Sequence, residues 1–146
     1  MTDGDVDGQA VRAVRSAVIA LNRGDVDGYL GAFSPSCLRW VSGTDEPRTL
    51  DDMRADIAEL YGAFDPLHLG EDLLFGSARF VCARWCLAGI HTGHYFGVPA
   101  TGKEISVSNC EVYEYDGSQV VAVWTYGDPL DLFRQLGAVP TNGASG

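Results

Sequence analysis

The chain has 146 residues, 46% hydrophobic and 21% charged, which fits one domain built around one core. A formal net charge of -10 repels phosphate backbones and anionic lipid surfaces, so no nucleic-acid partner is expected and the acidity serves solubility. No run of about 18 apolar residues occurs, and the opening MTDGDVDG lacks the basic and apolar regions of a signal peptide; the expectation is a cytoplasmic protein without membrane contact.

Residues 6–21 read as a helix, because Val11, Val14, Ala17, Val18 and Leu21 recur at helical spacing. Asn22-Arg23-Gly24 ends it, and Asp25 is placed to cap a short helix over 26–33. Ser34-Pro35-Ser36 is expected to stop that helix, with a first strand at 37–41 and a polar loop at 42–48. A third helix is predicted over 50–64, with Leu50, Met53, Ile57, Leu60, Tyr61 and Phe64 as its apolar stripe and Asp65-Pro66 as its end. Four strands follow near 68–75, 79–91, 104–115 and 119–127, with Gly76-Ser77 and Asp116-Gly117-Ser118 as hairpin signals. Pro129 opens a last short helix stopped by Gly137, with Asp128 as its cap.

Helices gathered on one face of an antiparallel sheet make an α+β domain. Three N-terminal helices over a strongly bent sheet leave a conical cavity, so the expected architecture is a cone-shaped α+β barrel acting on a mostly apolar small molecule. A single domain over 1–137 is expected, followed by a flexible tail at 138–146.

Cys37, Cys82, Cys86 and Cys110 read as free thiols, since a cytoplasmic chain of this length needs no disulfides. No CxxC pair or histidine at zinc spacing accompanies them, and no metal is expected. The turn GVPATGK lacks the glycine spacing and following helix of a phosphate loop; it reads as a strand connection shaping a cavity rim.

Ile105, Val107, Asn109, Glu111 and Tyr113 share one strand face. Glu111 is then either a carboxylate in an apolar cavity, where burial would raise its pKa toward neutrality, or a solvated residue on the other face. Arg84, among Phe80, Val81, Cys82, Trp85 and Cys86, needs a partner or an exit to water. It is expected either to pair with Glu111 and steady an oxyanion, or to form a structural ion pair. His91 is a possible proton shuttle near the cavity mouth. Strict alternation from Arg84 points it away unless Gly89 hosts a bulge. His94 is a weaker alternative, and His68 reads as a surface residue. Trp40 is expected to wall the pocket and Trp124 to pack on the opposite face, while Val123 and Thr125 take the cavity parity. Tyr29 and Tyr61, on the covering helices, are placed to reach a substrate oxygen, with core packing as the alternative. The uncovered sheet face, with bulky residues such as Trp124, points to a homodimer.

The segments GIHTGHYFGVPATGK, CEVYEYDG and WTYGDPLDLFRQLG, within a stretch from about Phe64 to Gly137, resemble the SnoaL-like polyketide cyclase family of the nuclear transport factor 2-like superfamily. That resemblance implies a cofactor-independent enzyme of bacterial secondary metabolism that closes a ring by acid–base chemistry. It places the first acid–base position on Glu111. The family's second acid–base position is Thr125 here, and the histidine that often precedes the tryptophan is Val123. An epoxide-hydrolase relay of the same fold would align its arginine with Arg84 and its carboxylates with Cys86 and Thr125. A steroid-isomerase base would fall near Val41. With one carboxylate left, the implied chemistry widens to an aldol closure, an epoxide opening that forms a cyclic ether, or an addition to an unsaturated ketone. A hydroxylase or its accessory on an aromatic polyketide, and a non-catalytic ligand-binding domain, are the alternatives. The implied site is Glu111, Arg84 and His91 for catalysis, with Trp40, Asn109, Tyr113, Thr125, Tyr61, Tyr29 and Cys86 around the substrate.

Overall fold

The computed structural model describes residues 8–139. The opening MTDGDVD and the tail at 140–146 lie outside the described residues, as do residues 6–7 of the predicted first helix, whose N-cap is Gly8. Helix α1 spans Gln9–Asn22 and buries Val11, Val14, Ala17, Val18 and Leu21, the stripe its spacing predicts. Helix α2 spans Val26–Leu30, and Asp25 caps it by accepting from the Gly28 N–H at 2.9 Å. Helix α3 spans Leu50–Ala63. It opens on a capping box in which Thr49 Oγ1 accepts from the Asp52 N–H while the Asp52 carboxylate accepts from the Thr49 N–H.

Two boundaries differ from expectation. The second helix ends early, and strand β1 runs over Phe33–Val41, taking in Ser34-Pro35-Ser36. That stretch coincides with a register shift on the sheet's edge, where proline's missing N–H is tolerated. Helix α3 passes into β2, Phe64–Gly76, without a loop. Phe64 is already extended, and the residue before a proline is biased the same way, so the chain leaves the helix directly into a strand.

Strands β3 (Phe80–His91), β4 (Glu104–Tyr115) and β5 (Val120–Gly127) complete a curled, unclosed five-stranded sheet in the order β1-β5-β4-β3-β2. The meander β2 to β5 is antiparallel, and β1 adds to its far edge parallel to β5. Helix α4 spans Pro129–Gln135, with Asp128 accepting from the Asp131 N–H. The main core lies between α1, α2, α3 and the inner sheet face, and includes Val11, Val14, Met53, Val81, Trp85 and Val123. A smaller cluster of Ala63, Phe64, Ile105, Leu132 and Leu136 fills the α4 end. No described helix is long and apolar enough to cross a membrane.

Register decides which residues enter the cavity. Val81, Ala83, Trp85 and Leu87 on β3 lie opposite Tyr113, Glu111, Asn109 and Val107 on β4. Glu111 and Tyr113 lie opposite Thr125 and Val123 on β5, and Val123 lies beside Arg39 on β1. Directly paired residues share a face, so these form the inner surface. The outer face carries the other parity, with Trp40, Trp124, Val112 and Cys82 in one row and Arg84, Cys110 and Tyr126 in the next.

Candidate active site

Glu111 occupies the middle of the inner face, with its side chain only 7% exposed. The Tyr113 hydroxyl donates to Oε1 at 2.6 Å, and Thr125 Oγ1 donates to Oε2 at 2.8 Å. The Arg39 guanidinium stands 3.3 Å from Oε2, and its Nε donates to Thr125 Oγ1 at 2.8 Å. Behind Tyr113, Trp85 Nε1 donates to the phenol oxygen at 3.0 Å. One continuous chain therefore runs Trp85–Tyr113–Glu111–Thr125–Arg39. The neighbourhood of Glu111 is not the apolar one expected: two hydroxyls and a guanidinium converge on its oxygens. Such groups compensate a buried charge that apolar walls would not.

The surrounding titrations follow from burial and from that charge. Burial, then the negative charge of Glu111, holds the Tyr113 phenol well above its ordinary value. The same two causes, in the same order, raise Tyr29. Both phenols are neutral at physiological pH. Burial by itself would lower the Arg39 guanidinium, but Glu111, Tyr29 and Tyr113 lift it above its ordinary value, so it stays cationic. Burial pushes the nearby Cys37 thiol up to about 11.

A cavity of about 100 Å³ opens over this network, walled by Tyr29, Ile57, Tyr61, Leu69, Arg39 and Asn109, with Glu111 reaching it. Asn109 Oδ1 is buried and has no hydrogen-bond partner among the described residues. The Tyr61 hydroxyl is already committed to the Leu21 carbonyl at 2.8 Å, so Tyr61 offers a ring wall and not a donor. Tyr113 and Thr125 stand behind Glu111, where they orient the carboxylate. A surface depression of about 380 Å³ shares Ile57 and Tyr61 with this cavity. Its remaining walls, Gly24, Val26, Arg54 and Ala58, bring no acid–base pair. No group of three or more His, Cys, Asp or Glu side chains among the described residues is placed to hold a metal ion.

Several expected site residues lie elsewhere. Arg84 is on the outer face, 54% exposed, 3.9 Å from Asp72, and does not meet Glu111. The inward parity of β3 belongs to Ala83 and Trp85, which turns Arg84 and Cys86 outward. Cys86 instead lies 3.2 Å from Ser106 Oγ. Trp40 is 42% exposed, beside Trp124 on the outer surface, because the inward residue of that strand pair is Arg39. His91 shares the inward parity without any bulge, since β3 and β4 stay in register through Gly89. It is fully buried against Phe64, however, and does not line the cavity. Its Nδ1 accepts from the Thr101 N–H at 3.2 Å and lies 2.9 Å from Thr101 Oγ1, while Nε2 has no partner among the described residues. His68 and His94 are exposed. Of the four cysteines only Cys37 is buried; Cys82 and Cys86 are half-buried and Cys110 is exposed.

Arg39 is the residue that sequence reasoning missed. The available signal was its two-residue spacing from Cys37 and Val41 in a short strand, which sets a lone cation on the apolar parity.

The model of the SnoaL-like polyketide cyclase family matches residues 10–136. No curated protein sequence matches significantly. Among solved structures, the chain is similar to AclR of Streptomyces galilaeus, provisionally named a hydroxylase. The identity is 24% and the TM-score 0.82, over 92% of this chain and 100% of that one. It is also similar to IdmH of Streptomyces antibioticus, provisionally named a polyketide cyclase, at 20% identity and TM-score 0.78 over 88% and 99%. TsrD of Streptomyces laurentii is 25% identical with a TM-score of 0.77, over 91% and 99%.

Proposed function

Because this chain belongs to the SnoaL-like polyketide cyclase family, we propose that it is a cofactor-independent enzyme closing a ring in a polyketide-like substrate, with Glu111 as the acid–base group. The observation that carries this reading is the buried Glu111 carboxylate at the cavity wall, with donors from Tyr113, Thr125 and Arg39 converging on its two oxygens. Those donors hold one carboxylate geometry, the condition for efficient proton transfer.

In the aldol version, Glu111 takes the proton from the carbon beside a substrate carbonyl. The C–H electron pair becomes an enolate, whose carbon attacks a second carbonyl of the same molecule. A C–C bond forms, the attacked C=O becomes an alkoxide, and Glu111 returns the proton to it. Mass is unchanged and no second acid is needed, which suits a site with Thr125 at the family's second acid–base position. Epoxide opening uses the same shuttle: Glu111 takes a hydroxyl proton, that oxygen displaces the epoxide C–O bond, and the freed alkoxide regains the proton. Arg39, a cation on the cavity wall, and the neutral Tyr29 phenol steady the oxyanion. The Asn109 amide positions a polar substituent. Both closures are unimolecular, so fixing the chain's shape supplies much of the rate.

The test is turnover of an uncyclised aromatic-polyketide keto ester, followed as a mass-neutral shift in chromatographic retention. Glu111→Gln keeps the shape and removes the titration, and turnover should fall by about 10²–10⁴-fold with the fold retained by circular dichroism. Near wild-type turnover in that variant would sink the assignment. A binding domain would retain its ligand in Glu111→Gln and show no turnover in either protein.

We also infer a homodimer across the outer sheet face, where Trp40 is 42% exposed, Tyr126 54% and Phe80 41%.

A further inference from the structure

We propose that the cavity mouth is a second binding subsite, taking a flat aromatic or conjugated arm of the substrate, with Phe96 as its specificity-determining residue. This rests on the reading of the inner cavity as the reaction chamber, and it specifies the shape of molecule that chamber accepts.

The inner space is small. At about 100 Å³ it falls below the roughly 150 Å³ that encloses a benzene in a dry apolar cavity, so it holds no more than one ring or a short branched head. A wider space of about 450 Å³ adjoins it and shares two walls with it, Arg39 and Leu60. The remaining walls include Val41, Tyr95 and Phe96. A molecule whose reacting head sits beside Glu111 has room for its remainder across the Arg39–Leu60 walls, on the side that carries Phe96.

Phe96 is the feature that fold stability does not account for. It is the one non-glycine with positive φ among the described residues, at 43°, and it is 62% exposed. Crowding of Cβ against the backbone makes that conformation costly for a bulky side chain, and the exposure returns little burial. Backbone strain of this kind persists where surrounding structure imposes it, and it concentrates at ligand contacts.

The surroundings do impose it. The Thr92 and Gly93 N–H groups both donate to the Ala63 carbonyl at the end of α3, at 2.9 and 3.0 Å. Gly93 is needed there, because a Cβ would collide with the Gly62 carbonyl. Tyr95 and Val98 exchange two backbone hydrogen bonds at 2.9 Å around the turn. The Tyr95 ring is wedged against Phe64 and Phe133, with centroids at 5.3 and 6.0 Å, and meets Phe96 edge-on at 4.6 Å. Phe96 is thus a pre-positioned ring at the rim, and rings of this kind favour stacked or edge-on contact with another flat π-system. The rim charges Arg48 and Asp56 satisfy each other at 2.7 Å, and Glu59 also lines this space, so an anionic arm is disfavoured.

Two probes test the two compartments separately. Phenol is a head alone; 4-phenylphenol is the same head with a flat arm. By calorimetric titration, 4-phenylphenol should bind the wild-type protein at least tenfold tighter than phenol. Phe96→Ala should weaken 4-phenylphenol by about tenfold and change phenol by less than twofold. Phe96→Gly should weaken 4-phenylphenol equally, yet melt at a higher temperature than Phe96→Ala, because only glycine adopts positive φ freely. An equal affinity of the two probes for wild type would overturn the proposal, as would a Phe96→Ala variant that binds 4-phenylphenol normally or loses both probes alike. A Phe96→Ala melting temperature at or above that of Phe96→Gly would overturn the strain argument on which it stands. These readouts are of binding and melting, so they stand apart from Glu111 turnover: a retained probe gap with normal Glu111→Gln turnover overturns the catalytic reading alone.

Discussion

Arg39→Met should destabilise this protein far more than Arg84→Met, although the sequence context of Arg84 looks the more constrained. Two unit charges 3.3 Å apart attract by about 5 kcal/mol at an effective dielectric of 20. The Arg39 side chain is 25% exposed and that of Glu111 only 7%, so the pair is too dry for water to replace the lost partner. Methionine keeps much of the stem's packing but leaves the carboxylate with two neutral donors, Tyr113 and Thr125, and frees an acceptor site on Thr125 Oγ1. Breaking one side of such a buried pair typically costs about 3–5 kcal/mol. Arg84 stands 3.9 Å from Asp72 with 54% of its side chain in solvent, a geometry worth about 0–1 kcal/mol. Urea unfolding followed by tryptophan fluorescence reads both, since Trp85 is buried beside the network. Glu111→Gln in the Arg39→Met background should then cost less than it does in wild type, because the ion pair is already broken and glutamine removes the carboxylate left uncompensated. Equal losses for Arg39→Met and Arg84→Met, or an Arg39→Met loss below about 1 kcal/mol, would refute the account of Arg39 as the partner of Glu111.

The tyrosine titration gives a pH test. Tyr29 and Tyr113 have folded values raised above the ordinary 10.0, so the folded state holds their protons more tightly. Their contribution is fully present below pH 10 and is lost as pH rises above it toward the folded values. Absorbance at 295 nm should show Tyr29 and Tyr113 resisting ionisation until the protein unfolds, with Tyr61 and Tyr95 also raised by burial; Tyr113→Phe should remove one resistant tyrosine, and a titration in which all six tyrosines ionise near pH 10 in folded protein would count against the buried network. For the proposed dimer, light scattering at micromolar concentration should read twice the 15.7 kDa chain mass, and a monomer there would remove the outer face as an interface.

Much of this molecule is legible in its residues. Helical spacing marks the buried stripe of α1, turn residues at Asp116-Gly117 and the Asp128-Pro129 pair set the later boundaries, and β3, β4 and β5 fall within a residue of where their composition places them. Two-residue alternation groups Ile105, Val107, Asn109, Glu111 and Tyr113 on one face, and that face is the inner one. What alternation cannot supply is which parity of β1 and β3 joins it. On β3 both parities carry large apolar groups, Val81 and Trp85 on one side, Phe80, Cys82 and Cys86 on the other, so the pattern has a period but no sign. On β1 the long aromatic Trp40 competes with Arg39 for the inward place in the same way. Tertiary pairing supplies the sign. Ala83 opposite Glu111 sends Arg84 and Cys86 outward, and Val41 beside Thr125 brings Arg39 in and turns Trp40 out. A shift of one residue in either register would exchange every one of these assignments. The identity of the cation beside Glu111 was therefore decided between strands distant in sequence, where the buried carboxylate, its two hydroxyl donors and one guanidinium could be satisfied together.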